Sequence, residues 1–494
     1  MTDEARTEAG TPVPGWATPL AAALIVLVLT IPRLVFAARY DLIGDETYYA
    51  LWSLYPGFGY YDHSPGVAWV IWLGRAIFGE GQWPVRSLFV LMTFPICAAV
   101  YRTALVLFED RRISAIAAIA YAVTPAIAIT TTIATPDAPS TLFWVLTIWA
   151  IAEFTRRRNA NWWLAAGVFA GLGLLSKYTV LFLGAGIVLY LVTSRERLAW
   201  FKLWQVWGAG VIALALFSPV VWIDWTRNWQ SFRFQLGRSP ATERVLHADE
   251  LWRFFIEVGV QLLPTLYIFV LIGVALFFTR RAKSLALPLL TSAAMLGFFI
   301  VHGLFGRVNP NWISPLYPML ALIGAWAAVQ VRPSSAWLRW PLEALKALHV
   351  PAGLALVLTV LAAAEFRSLP IIGPLPLLGF LYGWEGFQAK VSKLAADNGA
   401  QWVDAQDYSL EGWLTYYGKM AHDPLPVYDP GNAYRYKFMP PMNDALKASP
   451  HLLVRYTRLN RVPPIDGTVP LGIVTRDDND GRPVSSFAVY LANG

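Results

Sequence analysis

Two acidic sites occupy matching places along this chain. Gly44-Asp45-Glu46-Thr47-Tyr48-Tyr49 follows the first long apolar run, residues 20–36, and Thr135-Pro136-Asp137-Ala138-Pro139 follows the third. Successive membrane-crossing helices reverse direction, so carboxylates placed after the first and third emerge on one side of a bilayer. A carboxylate within hydrogen-bond reach of a hydroxyl can remove its proton as a general base. Asp45 and Asp137 are therefore the candidate catalytic residues. The plainer alternative for Asp45 is a solvated loop acid. For Asp137 it is a cap on the following helix, because Asp satisfies the free N–H groups at a helix start. Pro136 and Pro139 fix the turn that carries Asp137 and aim its side chain.

The first loop continues through Gly59-Tyr60-Tyr61-Asp62-His63-Ser64-Pro65-Gly66. Its aromatic residues and acids make Glu46, Tyr48, Tyr61 and His63 candidate substrate-binding residues. A histidine there can orient a phosphate or shuttle a proton, although an isolated histidine is equally at home in a structural role. Lys177, in Leu174-Leu175-Ser176-Lys177-Tyr178-Thr179, lies at the outer end of the fifth run. It can neutralise a phosphate or extend to the headgroup layer. Arg227, Arg233, Arg238, Arg244, Arg253 and Arg307 fall on the same side, with Asp224, Glu243, Asp249 and Glu250 available to pair with several of them. Guanidinium groups bind phosphate bidentately, and Arg227 and Arg307 are the two taken as substrate-binding candidates. No metal-ligand spacing occurs, and the six histidines are scattered. A divalent ion held by Asp45, Glu46 and Asp137 stays open, since hard cations accept carboxylates. The sequence demands no cofactor.

The composition says what must position these residues. Of 494 residues, 56% are hydrophobic and only 14% charged, with mean hydropathy +0.47, which places the chain among polytopic membrane proteins. Apolar runs fall at about 20–36, 84–108, 113–134, 139–154, 162–175, 180–192, 204–222, 255–278, 285–301, 313–331 and 350–364. That predicts about eleven transmembrane helices. The residues before the first run include Asp3, Glu4 and Glu8, unlike the basic start of a cleavable signal. Arg111-Arg112, Arg156 to Arg158, Arg195 to Lys202, Arg280 to Lys283 and Arg332 to Arg339 each end an even-numbered run. The excess of positive charge on cytoplasmic loops then puts the N-terminus inside and the C-terminus outside. The net charge of +7 thus follows membrane topology, and a nucleic-acid partner is excluded. Cys97 is the single cysteine, so no disulfide framework forms.

Residues 1–382 make a transmembrane domain with long outer loops at 38–82 and 223–253. The proline-broken apolar stretch 366–382 reads as an interfacial or re-entrant piece rather than a twelfth span. Residues 383–494 have the composition of a soluble module, with a short helix expected at 391–398 and a strand at 401–404. They read as a small α/β domain with its own core on the periplasmic side. Neither a glycine-rich phosphate loop nor an internal repeat is present.

The motifs around Asp45, Tyr61, Asp137 and Lys177, in this order, resemble the GT-C superfamily of integral-membrane glycosyltransferases. The resemblance is to the branch of protein O-mannosyltransferases and bacterial aminoarabinose-to-lipid-A transferases, and covers roughly residues 16–365. It implies a sugar donor carried on a polyprenyl phosphate, a site at the outer face of the bacterial inner membrane, and inversion at the anomeric carbon. By position Asp45 matches the family's base and Asp137 its second acid. His63 stands where the aminoarabinose transferases carry a phosphate-contacting lysine, which leaves the donor sugar open. Lys177 and the outer arginines become candidates to supply that missing charge. The acceptor implied first is lipid A or lipopolysaccharide core. A protein O-glycosyltransferase is the alternative within the enzymes, and a lipid-linked sugar flippase the alternative outside them, since acids in membranes also mark transport pathways.

Overall fold

The computed structural model describes residues 17–237, 246–279, 282–366, 368–369, 373–374, 376–423, 425–458 and 462–493. Among them, seven helices are long and apolar enough to cross a membrane: Pro19–Arg39, Gln82–Phe108, Asp137–Arg157, Trp204–Thr226, Lys283–Gly303, Pro310–Gln330 and Ala336–Val360. Three bent pairs raise the number to as many as ten. With the 16-residue helix Asn161–Ser176, they correspond to the eleven apolar runs.

The bends depart from the expectation of straight spans. The 113–134 run breaks by 62° where Pro125 starts a second helix. The 255–278 run breaks by 112° at Leu263, whose φ is +64°, before Pro264. Proline removes a backbone donor and crowds the preceding turn, so the helix restarts in a new direction. Arg33, buried in the first helix, faces the bundle and reaches the Thr93 and Thr131 hydroxyls and the Ala122 carbonyl.

The two ends of the bundle differ in charge. At the Arg157 end of helix Asp137–Arg157, buried Glu153 pairs with Arg157 at 2.7 Å and Arg102 at 3.4 Å. Asp137 stands at the other end, about 30 Å away for 21 helical residues.

The long first loop is mostly helical. Gly44–Leu54 and Gly66–Phe78 form two helices where sequence suggested only a loop. Thirteen residues are too few to cross a bilayer, so the second helix packs laterally against its neighbours. A Cβ on Gly74 would stand 2.4 Å from the Pro84 carbonyl oxygen, and one on Gly66 2.7 Å from that of Leu175. Gly66 thereby brings the first loop against the residues that precede Lys177.

Of the stretch 366–382, the described parts are a two-residue antiparallel pair, β1 (Ser368–Leu369) and β2 (Gly373–Pro374), and the 3₁₀ turn Pro376–Leu381. The rest of that expected re-entrant piece lies outside the described residues. Helix Trp384–Asp397 follows and contains the expected 391–398 segment as its second half. A five-stranded mixed sheet is then built from β3 (Trp402–Ala405), β4 (Val427–Tyr428), β5 (His451–Thr457), β6 (Thr468–Asp477) and β7 (Pro483–Ala492), in the order β4-β3-β5-β7-β6. β3 is parallel to β4 and β5, and β7 is antiparallel to β5 and β6. Helix Tyr408–Met420 makes the β3-to-β4 crossover that a parallel pair requires.

This C-terminal module does not keep a core of its own, as its composition suggested. One apolar cluster runs from Leu42, Tyr48, Trp52 and Val67 into Trp384, Leu410, Leu414, Val454 and Val489. Gly66→Val should lower the detergent thermal midpoint, because overpacking costs roughly 1–3 kcal/mol. Gly210→Ala, which has no atom within 4 Å of its new Cβ, should not lower it.

Candidate functional site

Helix Gly44–Leu54 begins with the two acids, and they face opposite ways. Glu46 is wholly buried. Its carboxylate accepts from the Ile43 N–H at 3.0 Å and the Ala134 N–H at 2.8 Å, and pairs with Arg86 at 2.7 and 2.5 Å. Arg86 also donates to the Tyr40 and Asp41 carbonyls at 2.7 and 2.8 Å. Glu46, read from the sequence as a substrate-binding candidate, is thus enclosed by protein donors. It joins the first loop, the second span and the segment leading to Asp137.

Asp45, one residue earlier, is only partly buried and accepts from the Tyr408 hydroxyl at 3.0 Å. Asp137 is 5% exposed, within a cage of side chains. Lys177 Nζ donates to its Oδ1 at 2.5 Å and Ser314 Oγ to the same atom at 3.0 Å, while Asn311 Nδ2 reaches Oδ2 at 3.3 Å. Lys177 is thus the ion-pair partner of Asp137, and its spare donor reaches the Asn311 carbonyl at 3.3 Å. Tyr49 is within electrostatic reach of both acids. Burial, and then the charges of Asp45, Asp62 and Asp137, hold its phenol well above the ordinary tyrosine range.

The remaining candidates surround this centre unequally. His63 lies with its ring 6.1 Å from that of Tyr49. Tyr61 packs on Phe234 and Tyr434, with ring centroids 4.8 and 4.6 Å apart. Tyr48 is buried and donates to the Arg435 carbonyl at 3.0 Å, so it is a strut rather than a substrate contact. Arg227 is exposed and donates to the Gly59 carbonyl at 3.0 Å, which ties the first loop to the end of helix Trp204–Thr226. Arg307 is exposed in the loop just before Asn311. Arg253 is paired with Glu250 and Glu257, and Arg233 is exposed. Arg238, Glu243 and Arg244 lie outside the described residues. Asp224 instead accepts from the Ser231 and Phe232 N–H groups and caps the turn there.

The three carboxylates left open for a divalent ion do not form one ligand set. Glu46 is neutralised by Arg86 and Asp137 by Lys177, and among the described residues no three His, Cys, Asp or Glu side chains converge.

Sequence reasoning missed Arg86, Tyr408 and Arg435. Arg86 carried a readable signal: a charge three residues into an apolar run needs a buried partner. Arg435 clamps Asp62 through two bonds of 2.7 and 2.6 Å, from a segment nearly 400 residues away that nothing in the sequence links to the first loop.

Comparison with known proteins agrees with this architecture. Residues 62–223 match the family described as dolichyl-phosphate-mannose-protein mannosyltransferase, a stretch that includes Asp137 and Lys177 but not Asp45. The lipid A galacturonosyltransferase RgtD of Rhizobium johnstonii is 30% identical over 212 residues, 42% of this chain and 43% of that protein. The undecaprenyl phosphate-α-4-amino-4-deoxy-L-arabinose arabinosyl transferase of Pseudomonas aeruginosa is 27% identical over 336 residues, 62% of this chain and 59% of that one. The matches thus span about half the length of these relatives. The crystal structure of ArnT from Cupriavidus metallidurans bound to undecaprenyl phosphate superposes with TM-score 0.61 at 16% identity, over 95% of this chain and 97% of that one. The chain shares the GT-C fold of that transferase. The archaeal oligosaccharyltransferase AglB from Archaeoglobus fulgidus shares the GT-C fold more distantly, with TM-score 0.53 at 13% identity, over 87% of this chain and 69% of that one.

The Glu46–Arg86 pair can be tested by stability. Arg86→Met leaves a buried carboxylate without its cation, which costs roughly 3–5 kcal/mol. A lower thermal midpoint is expected, and the double variant Glu46→Leu with Arg86→Met should lose less than the sum of the two single changes.

Proposed function

We propose that this protein is an inverting glycosyltransferase. It moves a sugar from a polyprenyl phosphate carrier to a hydroxyl of lipid A, lipopolysaccharide core or another envelope acceptor, at the outer face of the bacterial inner membrane. The N-terminus is then cytoplasmic and the C-terminal domain periplasmic. The observation that carries this reading is the site itself: a partly buried carboxylate, Asp45, shares Tyr49 as a neighbour with a second carboxylate, Asp137, that already holds a lysine. The named activities of RgtD and of the aminoarabinose transferase, and the undecaprenyl phosphate bound by ArnT, support the donor class.

The chemistry follows from that arrangement. Asp45 takes the proton of the acceptor hydroxyl as its oxygen bonds to the sugar's anomeric carbon. The bond from that carbon to the phosphate oxygen breaks on the opposite face, and the lipid phosphate leaves with the electron pair. Cations near the departing phosphate lower the barrier, because preorganised charge acts strongly where water is excluded. Arg307 and Lys177 are the residues assigned to that task, with Asp137 holding Lys177 in position and His63 orienting the phosphate. A transporter needs titratable groups near the middle of the bilayer. Asp45 and Asp137 instead stand at helix starts, which favours the transferase.

Mass spectrometry of envelope glycolipids from cells with the wild-type chain, Asp45→Asn or no copy tests this reading. A sugar-sized mass on lipid A or core should vanish equally in the variant and the deletion. Full modification by a normally abundant Asp45→Asn chain would remove Asp45 as the base.

A further inference from the structure

One partner of Asp45 comes from outside the membrane domain. Tyr408, whose hydroxyl donates to Asp45 Oδ1 at 3.0 Å, is the first residue of helix Tyr408–Met420 in the C-terminal module. Its backbone is fixed by Asp407, whose carboxylate accepts from the Ser409 and Leu410 N–H groups at 2.9 and 3.0 Å. The helix lies tight against Gly44–Leu54 at two points where only glycine fits. A Cβ on Gly44 would stand 2.7 Å from Ser409 Cβ, and one on Gly412 would stand 2.9 Å from Thr47 Oγ1. The Tyr436 hydroxyl donates to the Tyr408 carbonyl at 2.6 Å. Behind the ring, the Arg435 guanidinium lies 4.4 Å from its centroid, and Asp62 holds that guanidinium with both oxygens.

We propose that Tyr408 is a positioning residue for the transfer reaction: its hydroxyl holds Asp45 ionised and aimed, and Arg435, locked by Asp62, backs its ring. This rests on Asp45 being the base. A hydrogen bond donated to a carboxylate favours its charged form over the protonated one. Burial, then Asp45 itself, pushes the Tyr408 phenol up to about 12, so it remains a donor throughout the working range. Among the described residues, the other charged or titratable groups gathered here include Tyr49 on the same helix, His63 and Asp62 in the first loop, Arg435, and Asp137 with Lys177. Tyr408→Phe leaves each of these side chains chemically unchanged. The C-terminal domain is in this sense part of the active site.

The test uses right-side-out membrane vesicles that contain the full chain with the cell's own donor and acceptor lipids. Initial rates of glycolipid modification are read by mass spectrometry from about pH 5 to 8.5. Tyr408→Phe should accumulate normally and move the acid limb of the rate profile up by about one pH unit. The rate should fall about tenfold on that limb, with little change on the alkaline plateau. A 3,5-difluorotyrosine at 408 has the same shape and a stronger donor, and should move the limb down. Tyr490→Phe removes a hydroxyl that donates instead to the Pro463 carbonyl at 2.7 Å, and should leave the limb in place. A Tyr408→Phe profile that superimposes on wild type, or drops by one factor at every pH, would overturn the proposal. So would an equal shift in Tyr490→Phe. Asp45→Asn separates the two claims: activity retained there sinks the base assignment, whereas an inactive Asp45→Asn with an unshifted Tyr408→Phe sinks only the role of Tyr408.

Discussion

The buried pair between Glu46 and Arg86 is the constraint on which the rest of the site depends. Both side chains are fully shielded from solvent. Removing two charges from water is costly, and their attraction repays it only when every remaining donor and acceptor is satisfied. Here the backbone meets that condition. Ile43 and Ala134 donate to the carboxylate, and the Tyr40 and Asp41 carbonyls accept from the guanidinium. Each of those groups lies just before an element that carries a candidate site residue. One electrostatic requirement thereby fixes the start of the Asp45 helix and the approach to Asp137.

The same economy appears in how the C-terminal domain is attached. It docks on residues 41–42 through polar contacts: Trp384 N–H to Asp41 at 2.8 Å, Trp413 Nε1 to the Leu42 carbonyl at 2.8 Å, and Leu42 N–H to the Tyr417 hydroxyl at 2.9 Å. The stacked Trp384 and Trp413 rings cover this junction. Domains that share a core move little against one another. A hydroxyl delivered from such a domain can therefore stay in register with a carboxylate on the first loop.

Legibility in the sequence followed the range of the interaction. The spans were legible because an apolar run is a local property, and the bends were visible only as Pro125 and Pro264. Asp45 and Asp137 were legible because each sits in a short motif at a span end. Lys177 was singled out for its unusual charge, but its pairing with Asp137 depends on two helices meeting 40 residues apart in sequence. The enclosure of Glu46 was not legible, because a buried acid and an exposed acid look alike until the partner is known. Tyr408 and Arg435 could not be nominated, since tertiary packing alone brings positions 45 and 62 to positions 408 and 435. The expected re-entrant stretch 366–382 is described only in part, and its reading stays where the sequence left it.

The most direct measurement is the anomeric configuration of the transferred sugar. The purified chain would be supplied with a sugar-loaded undecaprenyl phosphate and a lipid A acceptor, and donor and product compared by NMR. A single displacement assisted by Asp45 requires the product to carry the configuration opposite to that of the donor. Retention of configuration would require a covalent intermediate and would contradict Asp45 acting as a base in one step.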